Sequence, residues 1–541
     1  QKAREAYERA LALEPKRSEA RLGLAALHQE EGAHEEAVKH FEEVVLSQAV
    51  SGEALAECYY NLGNSYSELH ELHRARVAYQ ASIEVVDSAD ANNNLGWLLF
   101  ELGDPRAALK RFERCCRLSP ESAQFAQNRL MLLNYLSDMD TDSVFQEHRK
   151  WGIEFSAKVD RLAPRTDLEL ETDRQLRVGY MSPDFRRHST SYFVQCLAKH
   201  CSENLFDVFF YSNTTHEDEV TEDLKRTLKG PDRFRSICSL SAKDVADRIR
   251  TDRIDILVEL AGHTAGNRLD VMALKPAPLQ FLWLGYQNTS GLGAIDFLIT
   301  DDVVDPPSTT QSFTEELVRL PAPMACYSPP EGDMLPAVEA LPGLSAQGVT
   351  FASFSHLAKV NDGCVDAWSR ILEAVPSSRL LIKAKGLYSK DAQEMLIQRF
   401  RGQGISSERI VLQSTSKDHM AIYSKQVDVS LDTFPYSSPT TTCESMVMGV
   451  PVVSWAGSTH SARRSATFIS ALGLNDVLLA DSQEEYVRKA VSLASDLDAL
   501  AALRERLRPS MLSSCVCNGQ RFVQKGLEPM FRGKWRLFCE E

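Results

Sequence analysis

Small, apolar and aromatic residues recur at fixed intervals among charged residues over positions 18–120. Offsets of 7, 5, 4 and 3 separate the members of each copy, and the copies follow a period close to 34 residues. The three copies are Ala25, Gly32, Ala37, Phe41, Val44; Gly63, His70, Ala75, Tyr79, Ser82; and Gly96, Gly103, Ala108, Phe112, Cys115. A small residue lets two antiparallel helices approach, a glycine forms the turn, and an aromatic fills the gap left by the next small residue. The pattern predicts stacked helical hairpins.

This repeat resembles the tetratricopeptide repeat, and we assign residues 1–122 to an α-helical superhelix of such repeats. Ala3, Tyr7, Ala10 and Pro15 fit the second half of one more unit. We therefore expect the array to continue upstream of Gln1. A stack of this kind has a concave surface that is typical of peptide binding.

From about Asp173 the pattern changes to short β-branched or aromatic runs that alternate with amphipathic helices. Alternation of this kind predicts two α/β units with parallel sheets, and ligands of such sheets bind at the carboxyl ends of the strands. The predicted strands are Leu176–Met181, Phe206–Tyr211, Ile254–Leu260, Leu279–Leu284 and Phe297–Ile299, then Val349–Phe354, Arg379–Lys383, Ile410–Gln413, Val427–Leu431 and Pro451–Trp455. The predicted units are a helical connector (123–172), a first lobe (173–325), a Pro-rich linker (326–348), a second lobe (349–512) and a bracing helix (513–541).

Composition narrows the class of protein. The chain is 43% hydrophobic and 25% charged, as folded proteins are, and its formal net charge of −15 argues against affinity for nucleic acid through bulk positive charge. No apolar run reaches the ~18 residues of a membrane helix, so we expect no membrane partner. The 12 cysteines are scattered without a metal or redox CxxC spacing, which favours reduced thiols in the cytosol or nucleus.

A polar loop, Ser182–Ser191, follows the first predicted strand and contains His188. Imidazole titrates near neutrality, so His188 is a candidate to relay a proton or to orient a substrate. The alternative is a solvated histidine beside a helix that Ser189 or Ser191 caps.

Two further loops of the first lobe follow predicted strands and carry polar side chains. His263 and Asn267 lie in one and Tyr286 in the other. We predict that these three residues contact sugar hydroxyls or an acceptor, although both loops also suit ordinary turns.

In the second lobe, His356 and Lys359 follow a predicted strand, and His419 begins a helix where a base or phosphate could be held. A lysine beside a diphosphate neutralises a leaving group without a metal, whereas an isolated exposed lysine is usually only solvated. These positions are therefore candidates for binding a nucleotide.

A hydroxyl-rich segment after Asp432 contains Thr440, Thr441 and Thr442 and leads into a helix predicted to begin near Thr442. The free amides at a helix N-terminus favour phosphate. Glu444 follows in this helix and could accept hydrogen bonds from ribose hydroxyls; its alternative role is a first-turn carboxylate that the helix dipole favours.

Neither lobe carries GxGxxG or GxxxxGK[ST], which disfavours a Rossmann dehydrogenase and a P-loop kinase. Asp301 and Asp302 fall in a turn of the first lobe rather than in a cleft-facing metal motif. The residues therefore favour nucleotide-sugar chemistry with cationic and dipolar stabilisation and no metal ligand.

Long segments in conserved order resemble the SPINDLY and O-GlcNAc transferase family. They are LRVGYMSPDFRRHSTSYF, IDILVELAGHTAGNRL, PAPLQFLWLGYQNTSGL, FASFSHLAKV, LDTFPYSSPTTTCESMVMGVPVV and VCNG. The resemblance implies an inverting glycosyltransferase of the GT-B type, with two Rossmann-like lobes and no cofactor, that modifies Ser/Thr hydroxyls of nuclear and cytoplasmic proteins. It also implies that the repeats recruit protein substrates and support a homodimer.

The resemblance assigns roles by position. His188 matches an active-site histidine and Lys359 a catalytic lysine that binds the donor diphosphate. The donor-contacting positions are His356, His419, Thr440, Thr441, Thr442 and Glu444.

Within the family, the segments TTTCES, DHM and VCNG resemble the plant SPINDLY branch, which implies transfer of fucose from GDP-fucose. The alternative is an O-GlcNAc transferase that uses UDP-GlcNAc; Pro439 replaces the first residue of that branch's His-Thr-Thr triplet, and Ala421 and Ile422 replace a basic pair. A second alternative is a non-catalytic repeat scaffold.

Overall fold

The computed structural model describes residues 2–321, 323–332, 335–345, 348–416 and 418–540. Gln1, Ala322, Lys417, Glu541 and linker positions 333, 334, 346 and 347 fall outside this description. Helical repeats lead through a connector into two α/β lobes, which confirms the predicted fold class. None of the helices in the described ranges combines the length and apolar content that a bilayer-spanning segment requires.

Paired antiparallel helices form the repeats and the connector. They are α1 (Lys2–Leu13), α2 (Ser18–Glu30), α3 (His34–Ser47), α4 (Gly52–Glu68), α5 (Leu72–Val85), α6 (Ala89–Glu101), α7 (Pro105–Leu118), α8 (Ala123–Leu133) and α9 (Thr141–Ser156). A Cβ added to Gly63 would lie 2.6 Å from the Tyr79 ring, and one added to Gly96 would lie 2.9 Å from Phe112. In these two pairs the aromatic fills the gap beside the glycine of its own helical pair, not the next one as the sequence suggested.

The first lobe is a parallel seven-stranded sheet in the order β3-β2-β1-β4-β5-β6-β7. Its strands are β1 (Leu176–Ser182), β2 (Phe206–Ser212), β3 (Phe234–Ser236), β4 (Ile256–Glu259), β5 (Leu279–Leu282), β6 (Phe297–Asp301) and β7 (Glu316–Leu320). Its helices are α10 (Ser191–Lys199), α11 (Glu219–Thr227), α12 (Ala242–Thr251) and α13 (Leu269–Ala273), with a short 3-10 turn at Pro231–Arg233. The sequence missed the edge strands β3 and β7, because edge strands are partly exposed and carry charged residues.

The second lobe is a parallel six-stranded sheet in the order β10-β9-β8-β11-β12-β13. Its strands are β8 (Thr350–Ser353), β9 (Arg379–Lys383), β10 (Ile410–Gln413), β11 (Val429–Leu431), β12 (Val452–Trp455) and β13 (Leu479–Ala480). Its helices are α14 (Asp362–Ala374), α15 (Lys390–Gly402), α16 (His419–Gln426), α17 (Pro439–Val447), α18 (His460–Ala471), α19 (Asn475–Leu478), α20 (Gln483–Ser495) and α21 (Leu497–Ser513). Short 3-10 turns occur at Pro342–Leu344, Leu357–Lys359, Lys385–Tyr388 and Ser407–Arg409.

Helix α18 holds the two lobes together. The His460 imidazole pairs with the Asp305 carboxylate at 2.7 Å, and both side chains are buried. The Thr467 hydroxyl donates to Asp301 Oδ2 at 2.6 Å, while Asp301 Oδ1 accepts from two amides of its own loop. Asp301 is therefore a structural carboxylate of the interface, and it is the last residue of β6 rather than a turn residue as predicted.

The C-terminal segment returns to the first lobe. It comprises α22 (Gly519–Phe522), a π-helical turn (Val523–Leu527) and α23 (Glu528–Glu540). Trp535 is fully buried and its indole donates to the Glu171 carbonyl at 3.2 Å, while the Phe531 ring meets Phe281 edge-on at 5.3 Å. This segment therefore packs against the sheet of the first lobe, although the chain before it belongs to the second.

The connector packs closely on the first lobe. In a network of hydrogen bonds, Asn134 donates to the Tyr286 hydroxyl at 2.9 Å, and that hydroxyl donates to His148 Nε2 at 2.5 Å. Beside it, the backbones of Gly152 and Gly291 touch, so that a Cβ on Gly152 would lie 1.7 Å from the Gly291 carbonyl oxygen. Glycine at this crossing allows α9 to reach the lobe.

We expect Gly152→Ala to destabilise the protein by about 3 kcal/mol, because the added methyl group overlaps backbone that cannot move aside. Gly293→Ala is the matched control, since a Cβ there meets open space. Melting temperatures of both variants test this, and equal values would show that α9 can shift without cost.

Candidate functional site

A cavity of about 380 Å³ lies between the lobes, at the carboxyl ends of their central strands. We call it the interlobe cavity. Its polar lining comes from both lobes: His188, Ser189, Thr190, Thr264, Gln287, Ser355, His356, Lys359, Ser438, Thr440, Thr441 and Arg464, with Tyr135 from the connector and Tyr436. The structure thus brings together His188, His356, Lys359, Thr440 and Thr441 of the predicted site.

Lys359 sits on the second-lobe wall at the end of a 3-10 turn. Its Nζ donates to the Ser437 carbonyl at 3.0 Å and to the Ser438 hydroxyl at 3.2 Å, and it lies 4.4 Å from the centre of the Tyr436 ring. Burial lowers the pKa of Lys359 to about 8, despite the opposing charge of Asp432. Its ammonium is therefore poorly solvated and suited to an anionic ligand.

Helix α17 points its N-terminus at the same wall. It begins at Pro439, not near Thr442 as predicted, so Thr440 and Thr441 occupy its first turn, where amides lack partners within the helix. The Ser438 hydroxyl does not cap this turn; it contacts Ser355 at 2.9 Å and accepts from Lys359. The first-turn amides are thus available to a phosphate.

Thr442 does not line the interlobe cavity. Its side chain is buried and its hydroxyl donates to Ser465 at 3.0 Å. The predicted donor contact is not supported by this placement, because the earlier helix start turns Thr442 towards α18.

His188 lies on the first-lobe wall, with 40% of its side chain exposed. Its Nδ1 is 3.4 Å from Asp184 Oδ2 and accepts from the Thr190 amide at 3.3 Å. Burial lowers the pKa of His188, which favours the neutral imidazole at neutral pH. The alternative of capping by Ser189 or Ser191 is wrong, because the cap position of α10 falls on Thr190, whose side chain makes no capping hydrogen bond.

His356 links the cavity to the repeats. Its ring stacks on Phe100 of α6 at 4.6 Å, and its Nε2 lies 3.5 Å from Glu101 Oε2. Its Nδ1 accepts from the Ala358 amide at 3.2 Å, which leaves Nε2 to carry the proton that faces Glu101. Burial alone would raise the pKa of Glu101, but His356 and the charge of Lys385 lower it, so the carboxylate stays charged.

His419 and Glu444 form a chain with Lys383 beside Phe354, whose ring lines the cavity. The Lys383 ammonium donates to His419 Nδ1 at 2.9 Å, and His419 Nε2 donates to Glu444 Oε2 at 2.9 Å. These two predicted residues therefore meet each other next to the cavity and outside its lining. Glu444 lies in the second turn of α17, so its alternative role as a first-turn carboxylate is wrong.

Three of the predicted contact residues make hydrogen bonds within the protein and do not line the cavity: His263, Asn267 and Tyr286. His263 is buried and its Nε2 donates to the Ser290 carbonyl at 2.7 Å, while burial lowers its pKa. Asn267 donates to Gln127 at 2.7 Å, and Tyr286 belongs to the network with the connector. The predicted contacts to sugar or acceptor are not supported, because these side chains fasten the connector to the first lobe.

Arg464 and Tyr135 line the cavity and were not predicted. Arg464 of α18 is buried and donates to the Leu284 carbonyl of the opposite lobe at 2.7 Å. The Tyr135 ring stacks on Tyr436 at 4.4 Å. The position of Arg464 in a helix that follows a strand is a usable signal, whereas Tyr135 reaches the cavity only through docking of the connector.

Comparison with known proteins shows which family the chain resembles. The profile described as "Glycosyl transferase family 41" matches residues 161–327 and 331–525, and tetratricopeptide repeat profiles match 1–56 and 60–123. Proteins described as "Probable UDP-N-acetylglucosamine--peptide N-acetylglucosaminyltransferase SPINDLY" are 42% identical over 438 residues in Oryza sativa subsp. japonica and 41% identical over 430 residues in Arabidopsis thaliana. These matches cover 80% and 78% of the chain and 46% of each relative, so the chain spans about half the length of these relatives.

The fold has a close counterpart among solved structures. A mutant O-GlcNAc transferase of Thermobaculum terrenum superposes with a TM-score of 0.87 at 29% sequence identity, covering 97% of this chain and 98% of that one. Its match extends over the repeats and both lobes, which agrees with the GT-B arrangement. The chain belongs to glycosyl transferase family 41, as the resemblance to SPINDLY and O-GlcNAc transferases predicted.

Proposed function

We propose that this chain is a protein O-glycosyltransferase that moves a sugar from a nucleoside diphosphate to Ser/Thr hydroxyls with inversion. The observation that carries the proposal is the meeting of the Lys359 ammonium and the N-terminus of α17 on one wall of the interlobe cavity. Both groups favour a diphosphate, and the two lobes enclose it.

Departure of the diphosphate is the step that these groups assist. Negative charge grows on the leaving group as the bond from the anomeric carbon breaks, and Lys359 and the α17 amides lie where they can stabilise it. One such contact typically lowers a barrier by ~2–4 kcal/mol. Arg464 adds a buried positive charge to the same cavity, and fixed groups of this kind need no reorganisation during the reaction.

The acceptor hydroxyl would approach from the opposite face of the sugar, where His188 stands. Because Nδ1 accepts from the Thr190 amide, the neutral imidazole carries its proton on Nε2 and is suited to holding the hydroxyl oxygen, while the hydroxyl proton passes to the departing diphosphate or to water. Attack on the anomeric carbon forms the new glycosidic bond as the bond to the diphosphate breaks, which inverts the anomeric centre. Alignment of the two reactants between the lobes supplies a further part of the rate enhancement.

Fucose from GDP-fucose is the donor that we propose, on the strength of the segments shared with the plant SPINDLY branch, including Thr440–Glu444. UDP-GlcNAc is the second candidate, because the printed names of the relatives refer to that donor. A non-catalytic scaffold is disfavoured by a half-buried lysine and free helix amides facing one cavity.

The repeats are proposed to recruit protein substrates and to support a homodimer. Their groove beside Asn64, Asn94 and Trp97 continues to Glu101, which contacts His356 of the cavity.

We also propose nuclear and cytoplasmic localisation. All twelve cysteines lie in described residues and are free thiols, which suits a reducing compartment.

A donor assay tests the activity. Purified protein is offered GDP-fucose and UDP-GlcNAc separately with a Ser/Thr peptide library, and modified peptides are identified by mass spectrometry. We expect the mass of one deoxyhexose on Ser or Thr; an N-acetylhexosamine would support the second candidate. Binding of a nucleotide sugar without transfer to any peptide would contradict the proposal.

Lys359→Ala should abolish transfer while leaving the melting temperature nearly unchanged. In the wild type, we expect affinity for a nucleoside diphosphate to fall as pH rises through about 8, because Lys359 loses its proton there and the cation that attracts the phosphates. This decline should be absent in Lys359→Ala. Calorimetric titrations across this range measure it, with exposed Lys390→Ala as the control; ordinary turnover by Lys359→Ala would refute the leaving-group role.

Glu101→Gln should weaken donor binding by roughly three- to tenfold, because the carboxylate that orients His356 loses its charge. The donor KM, measured with a short peptide acceptor, checks this. Glu68→Gln, an exposed residue of the same groove, is the control. If Glu101→Gln altered only the KM of protein acceptors, the repeats would deliver substrate without supporting the donor site.

A further inference from the structure

The loop between β5 and β6 uses nearly all of its polar side chains to hold itself in place. Asn288 donates to Asn134 at 2.8 Å and accepts from Gln311 at 3.0 Å. The Thr289 hydroxyl donates to Glu315 Oε2 at 2.6 Å, and the Ser290 amide donates to Glu315 Oε1 at 2.8 Å. The polar side chains of the loop therefore already have hydrogen-bond partners within the protein.

Gln287 is the exception in this loop. Its side chain lines the interlobe cavity and is 9% exposed, and within the described part of the chain its Oε1 has no hydrogen-bond partner and is shielded from solvent. A buried amide oxygen without a partner is unfavourable, since it has lost water and gained nothing in exchange. A ligand in the cavity would donate the hydrogen bond that the protein does not supply to this oxygen.

The loop backbone keeps Gln287 at the cavity. The Gly285 amide donates to the Leu260 carbonyl at 2.9 Å, and the Leu284 carbonyl accepts from Arg464 across the interface at 2.7 Å. Gly285 has no room for a side chain, because its Cβ would lie 2.2 Å from the Leu260 oxygen. Gln287 is thus presented by a fixed loop, so that contact with a ligand requires only a turn of its shielded side-chain amide towards the cavity.

The position of Gln287 indicates which part of a ligand it meets. The wall with Lys359 and α17 suits the diphosphate, whereas Gln287 comes from the first lobe together with His188 and Thr264. On the proposed function, the group between these walls is the transferred sugar. We infer that Gln287 hydrogen-bonds a hydroxyl of that sugar and helps to determine which donor is used.

The amide chemistry suits this role. Glutamine offers one carbonyl acceptor and two N–H donors on a single planar group, so it can receive a proton from one sugar hydroxyl and donate to a neighbouring oxygen. A site built to hydrogen-bond a hydroxyl discriminates against sugars that lack it, because its polar group is then left unpaired.

Calorimetry of Gln287→Leu tests the inference, with GDP-fucose, UDP-GlcNAc, GDP and UDP as probes. We expect the affinity for the nucleotide sugar to fall about five- to tenfold while the affinity for the matching nucleoside diphosphate stays unchanged. Gln287→Asn, which keeps the amide without adding a charge to a cavity proposed for a diphosphate, should recover part of the loss. Gln403→Leu, an exposed position on the second lobe, is the control for the added apolar surface.

Equal weakening of the sugar nucleotide and the bare diphosphate would overturn the inference, because Gln287 would then shape the nucleotide site. Unchanged binding of both would overturn it as well. The comparison is separate from transfer: protein that binds a nucleotide sugar but modifies no peptide refutes the proposed function and leaves the sugar contact to be decided by these affinities. Wild-type protein that binds none of the four probes would refute both.

Discussion

The buried contact between α18 and the first lobe sets the geometry on which the site depends. His460 and Asp305 pair with almost no exposure to solvent, and Thr467 and Arg464 add further bonds across the same interface. Removal of His460 would leave the buried Asp305 carboxylate without its imidazole partner, and a buried charge without a partner is unfavourable. These contacts therefore fix the relative orientation of the two lobes, and this orientation sets the width of the cavity between them.

The relative orientation of the lobes also determines the electrostatics of the cavity. Lys359 is surrounded by a carbonyl, a hydroxyl and the face of an aromatic ring, and the carboxylate whose charge acts on it, Asp432, accepts hydrogen bonds from the Ser438 amide and the Ser454 hydroxyl. Burial lowers the pKa of Lys359, which means that the free protein stabilises its charge poorly. A diphosphate that enters the cavity meets a cation with little competing solvation, so the same burial that disfavours the empty site favours the occupied one.

The architecture can be predicted from the sequence more completely than the residues that line the cavity. Strands such as Arg379–Lys383 and Ile410–Gln413 are predicted to the residue, because each contains three consecutive aliphatic residues, whereas the three-residue edge strand Phe234–Ser236 has one apolar residue and gives no such signal. Lys359 is found because it follows a strand, and strand ends define the cleft. Thr442 is misplaced because local sequence does not show whether a polar side chain faces a cavity or a neighbouring helix, and that depends on where α17 begins.

The repeats and the connector contact residues that line the interlobe cavity, which argues against treating the repeats as an independent adaptor. Phe100 and Glu101 of α6 contact His356, and Tyr135 of the connector stacks on Tyr436 beside Lys359. A protein segment that lies along the repeat groove would approach Glu101 immediately before it reaches the interlobe cavity. Contacts between acceptor and repeats can then alter the setting of a cavity-lining histidine directly, because no intervening element separates them. On the proposed function, recruitment and donor binding would be coupled through the Glu101 carboxylate and the Phe100 ring of α6.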